Sequence, residues 1–131
     1  MSQENVERVR EGYEFVDREH EPDFDLLHPD IQWHTRADLP DSATHRGHDG
    51  AAALMAEWFG AFDDLSVDVE ELIDAGDRVV VVLRLHGRVL DSTQEVDMSE
   101  THVLTMLDGK ATELREYPSR AEALEALGLR D

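Results

Sequence analysis

The sequence predicts a single α+β domain over residues 1–131, on three observations. Helical periodicity is confined to the first half and the last dozen residues, strand alternation fills the stretch between, and the length suits one core. Residues 2–19 read as a helix: Ser2 is a candidate N-cap, acids fill the first turn, and Val6, Val9, Tyr13 and Val16 recur on one face. Pro22 and Pro29 bracket an expected short helix over Asp23 to Leu27, and Ile31 to Thr35 reads as a short strand. Arg36 to Gly47 is a loop with a brief extended piece near Thr44 to Arg46. Helical spacing returns over Asp49 to Phe62, where Leu54, Trp58 and Phe62 stand four apart.

The period then changes to two. Leu65, Val67 and Val69 alternate with polar residues, and Ala75-Gly76-Asp77 makes a turn. Arg78 to Val89 follows, with the β-branched run Val79 to Leu83 apolar on both faces, as in a central strand. Gln94 to Leu107 and Ala111 to Tyr117 are a hairpin turning at Asp108-Gly109. Ser119-Arg120-Ala121-Glu122 is a capping box that opens a last helix, Arg120 to Leu127, stopped at Gly128. Helices first and a meander after imply a curved antiparallel sheet wrapped around N-terminal helices, with a short C-terminal helix; such a sheet leaves an apolar cone suited to a ligand.

Composition narrows the partners. Asp and Glu number 31 against 12 Lys and Arg, a net charge of -19, which repels phosphate backbones and anionic head groups and so argues against nucleic acid and membrane. There is no cysteine, hence no disulfide and no thiolate chemistry. No apolar run approaches the roughly 20 residues of a membrane span, and the polar MSQENVE start is unlike a signal peptide, so a cytoplasmic location is expected. The outer face of Val79 to Leu83 calls for cover, and a homodimer is the expected source of it. His45 and His48 stand three apart but lack a third ligand, so no metal and no cofactor is expected. His34, Arg84, His86 and His102 can be placed together on the outer face.

The segments SQENVERVREGYEF, PDIQWH, GDRVVVVLRLHGR and LDGKATELREYPSRAEALEALGL together resemble the SnoaL-like branch of the NTF2-like superfamily, the polyketide cyclase and ketosteroid isomerase group. That resemblance implies an NTF2-like cone with a pocket between sheet and helices, commonly dimeric, holding a small hydrophobic molecule. It implies no single chemistry, because members of the group include isomerases, cyclases, epoxide hydrolases and domains that only bind.

Resemblance to the cyclases makes Glu116 a candidate general base, at the position of their catalytic aspartate. Apolar walls would raise its pKa toward the useful range, whereas a solvated strand glutamate would do nothing. His102 matches a cyclase pocket histidine. A regular two-residue turn pairs Thr101 with Glu116 and His102 with Arg115, placing His102 and Glu116 on opposite faces, and a bulge would reverse this. The apolar series Val96, Met98, Leu104 and Met106 puts His102's face inward; the isomerase placement puts Thr101's face inward instead, and His102 at a dimer interface.

The isomerases' two carboxylates fall at Thr35 and Thr101, neither of them acidic, which argues against steroid isomerisation. The epoxide hydrolase set is argued against by Ser99 and Thr101 in the same strand. Tyr13 stands near the isomerases' helix tyrosine and is otherwise core. Trp33, Trp58, Phe62 and Met98 are candidate walls, and Thr101 the expected hydrogen-bond partner of Glu116. The function readings are an enzyme abstracting a proton alpha to a carbonyl, a non-catalytic ligand-binding module, and a dimerisation domain.

Overall fold

The computed structural model describes residues 2–129 without the side chain of Ser2, so the expected Ser2 cap lies outside the described residues. Helix α1 spans Ser2–Glu19 and buries Val6, Val9 and Tyr13. Gly12 lets it lie close, since a Cβ there would meet a Leu26 methyl at 2.5 Å. The expected short helix is instead a single turn: Leu26 and Leu27 N–H both donate to Asp23 O, and Asp25 N–H donates to the Asp23 carboxylate. It stops there because Leu27 pairs with Ala111 and opens strand β1, Leu27–His34, earlier than expected. Pro29, which has no N–H to give, lies within an irregular stretch of that pairing.

Strand β2 is Thr44–Arg46 and helix α2 is Gly47–Gly60, anchored where the His48 ring bonds Leu27 O at 2.8 Å. Strand β3, Phe62–Ala75, runs beyond the alternating stretch. A shift at Glu70 lets Leu65, Val67 and Val69 share the inner face with Leu72. Strands β4 (Arg78–Val89), β5 (Glu95–Leu107) and β6 (Lys110–Tyr117) fall where their patterns predict. Helix α3, Arg120–Ala126, begins at Ser119, whose hydroxyl accepts from Glu122 N–H.

The sheet order is β2-β1-β6-β5-β4-β3. It is mixed, not wholly antiparallel, because β1 lies parallel to β6. Its concave face and the helices α1 and α2 enclose the main core, an NTF2-like cone. On the convex face Ala123 and Leu124 of α3 cover Val80 and Val103. Val80 is fully buried within one chain, while Val82 on the same outer face is half-buried. No helix among the described residues is long and apolar enough to cross a membrane.

Candidate active site

The site begins with a register shift. Asp108 and Gly109 both have positive φ, the two-residue turn that suits twisted strands, and Leu107 and Met106 pair regularly with Lys110 and Ala111. Thr112 is then extra on β6, so Thr105 pairs with Glu113, Leu104 with Leu114 and His102 with Glu116. The bulge turns His102 and Glu116 to the same face. On β4 the residues opposite Met98, Glu100, His102 and Leu104 are Leu85, Leu83, Val81 and Val79, the concave set. The inner face of β5 is therefore the one its apolar periodicity indicates.

Four elements converge there. From α1, the Tyr13 hydroxyl lies 2.7 Å from His102 Nδ1; on β5, His102 Nε2 donates to Glu100 Oε2 at 2.8 Å. From β1, Trp33 sits opposite Leu114 and its indole N–H donates to Glu116 Oε2 at 2.7 Å. Glu100, His102 and Glu116 are all buried. The Glu100 bond fixes the proton on Nε2. Neutral His102 thus accepts from Tyr13 at Nδ1, and charged His102 donates to it.

Electrostatics follow from placing two acids and one imidazole in a buried site. Desolvation raises Glu116 above the usual glutamate range and Glu100 adds to this, while His102 and the Trp33 hydrogen bond oppose it. For His102 desolvation pulls the pKa down, but the Glu100 hydrogen bond with the Glu100 and Glu116 charges prevails and the result is upward. Burial, then the same two acids, raises Tyr13 well above its ordinary value and keeps its hydroxyl protonated.

The acids and the ring line a cavity of about 80 Å³, several times what one water needs, and its remaining surface is almost wholly apolar. Of the residues expected at a site, Tyr13, Trp33, Trp58, His102 and Glu116 line it. Thr35, Phe62, Met98 and Thr101 do not. Thr35 follows β1 and bonds Ala43 through both its hydroxyl and its N–H. Phe62 opens β3 and stacks on Trp58, centroids 6.0 Å apart. Met98 has the inner parity but is only half-buried, farther along β5. Thr101 is buried on the outer face opposite Val82 and Tyr117, so Trp33 rather than Thr101 holds Glu116. His102 faces the cavity and does not join His34, Arg84 and His86 on the outer face.

Glu100 is the member of the buried cluster that sequence reasoning missed. It sits two residues before His102 in the inward series of β5, a position where an acid among apolar residues is itself a signal. One side-chain N or O atom from each of Glu100, His102 and Glu116 lies within 4.8 Å of the others. Both His102 nitrogens are already engaged at hydrogen-bond distances.

Fold and site define an NTF2-like domain with a buried acid–histidine cluster in its cone. The SnoaL-like domain family matches residues 9–114, and the chain belongs to that family. Among solved structures it is similar to TerC co-crystallised with polyporic acid, at 25% identity over 95% of this chain and 98% of that one, TM-score 0.75. It is similar in fold to an NTF2-like protein of unknown function from Burkholderia pseudomallei K96243, at 24% identity over 93% and 95%, TM-score 0.74. A protein from Jannaschia sp. CCS1 that carries the name SnoaL-like polyketide cyclase shares the fold at 24% identity over 98% and 94%, TM-score 0.73. No curated protein matches the sequence.

Proposed function

We propose that this chain is an enzyme that moves a proton at carbon next to the carbonyl of a small hydrophobic substrate, with Glu116 as the base. The observation that carries this reading is a carboxylate in an apolar cavity, oriented by Trp33 and opposite His102. Ionised Glu116 takes the proton, and the C–H electron pair moves into the carbon–carbon bond while the carbonyl oxygen gains the charge. Charged His102 offsets that enolate charge, and neutral Glu116 then returns the proton to the same or a conjugated carbon. Raising its pKa strengthens Glu116 as a base once it is ionised. The resemblance to TerC, co-crystallised with polyporic acid, supports a small organic ligand in the cone.

Hydrogen–deuterium exchange at the alpha carbon of a panel of small cyclic and aromatic ketones, followed by NMR, tests this directly. Glu116→Gln keeps shape and the Trp33 contact but removes the base, and exchange should fall by roughly 100-fold or more. Unchanged exchange in that variant would remove Glu116 from the mechanism. Ketones that bind the wild-type chain without exchange above buffer would leave a ligand-binding module.

A further inference from the structure

The cavity's polar groups are unevenly matched. Its donors, the Tyr13 hydroxyl, the His102 ring and the Trp33 indole, are all engaged within the cluster. Its acceptors are in surplus: Glu100, a side chain about 7% exposed, is bonded to the His102 ring through one of its two oxygens, Oε2. No lysine or arginine is among the lining residues. Asp23, at the cavity edge, is paired with Arg8 at 3.0 Å, and Arg36, just beyond β1, is turned to Asp38 at 2.7 Å. Beside a charged His102, ionising both acids would put one unmatched negative charge in a buried space, which a bound cation would offset. The rest of the wall includes the aromatic side chains of Trp33, Trp58 and Phe59.

We propose that the cavity binds small hydrophobic amines as ammonium ions, the charged head against Glu100 and Glu116 and the apolar body among Trp33, Trp58, Phe59 and Leu54, and that it rejects carboxylates of the same shape. An ammonium brings three donors and a positive charge, the two things the site lacks, and aromatic faces attract it further. A carboxylate brings neither and would stand beside two like charges where water cannot screen them. This ligand class goes beyond the proton-transfer reading and needs no turnover, so the two can fail separately.

The groups facing the bound head would be Glu100 and His102 on β5, Glu116 on β6 and Tyr13 on α1, with the Asp23–Arg8 pair and Arg36 outside them. Because burial and Glu100 favour the protonated form of Glu116, a bound ammonium would drive that proton off. Binding should therefore release protons and strengthen with pH until the amine itself loses its charge.

Three probes of one shape decide the matter: benzylamine, benzyl alcohol and benzoate, titrated calorimetrically into the full chain at pH 8 in two buffers of different ionisation enthalpy. Benzylamine should bind about 10-fold or more tighter than benzyl alcohol, with proton release, and benzoate should bind weakest. Glu100→Gln should weaken benzylamine about 10-fold and leave benzyl alcohol unchanged. Benzoate binding as tightly as benzylamine, no binding by any probe, or equal benzylamine affinity in folded Glu100→Gln overturns the proposal. Should that variant not fold, the probe order and the sign of proton exchange in the wild-type chain decide alone.

Discussion

On the outer face of the sheet Arg84 of β4 meets Asp97 of β5 at 2.7 Å, and His86 meets Asp68 of β3 at 2.8 Å. On the inner face, three residues along β5 from Asp97, Glu100 meets His102 at the same 2.8 Å. The outer side chains are about half exposed and the inner pair about 7% exposed. Outside, the Arg84 hydrogen bond simply holds Asp97 below the usual carboxylate range, with water carrying most of the solvation. Inside, leucines and aromatic rings replace that water, and the nearby Glu116 is driven the opposite way, upward. Residue type does not set the chemistry of these strands; the side of the sheet does.

The contrast can be broken most forcefully at Glu116. Its raised pKa means that the folded chain holds the proton more tightly than the unfolded one. The stability it contributes is full below its ordinary pKa and is lost as pH rises through the raised value. Glu116→Gln, which carries no charge to desolvate, should gain on the order of 1 kcal/mol over wild type at pH 8 and nothing at pH 4, by denaturant unfolding at both pH values. A variant less stable than wild type at pH 8 would mean that the ionised carboxylate is well solvated.

Glu100→Gln sharpens the comparison on a smaller scale. Without that charge the desolvation of His102 is less opposed, so its NMR titration midpoint should move down from the wild-type position. A midpoint that stays put would mean that Glu100 is spectator to His102. The smallest effect belongs outside: Arg84→Ala should leave both the His102 midpoint and any exchange activity unchanged, because its partners are solvated without it. A shift at His102 in that variant would tie the two faces together.

Much of the frame was legible because local signals carry it. The run Val79 to Leu83, the Asp108-Gly109 turn and the Ser119 capping box each act within a few residues. Parity across a hairpin is different. Thr112 carries no mark of a bulge residue, yet it alone decides that His102 faces Glu116 and not Arg115. The apolar series on β5 pointed to the correct inner face, while placing Thr35 and Thr101 by likeness to the isomerases pointed away from it. Glu100 was overlooked because in a chain with 31 acids one more on a strand reads as surface. That α3 folds back over Val80 is a long-range packing event, invisible to the pattern of β4 alone.

The central claim is that the fold turns Glu116 into a proton-transfer carboxylate, and the measurement closest to it is the ¹³C titration of its side-chain carboxyl in the selectively labelled chain. The account predicts a midpoint above that of the solvated glutamates in the same spectrum, moving lower when benzylamine is bound. A midpoint at or below the solvated set, unchanged by the amine, would contradict it.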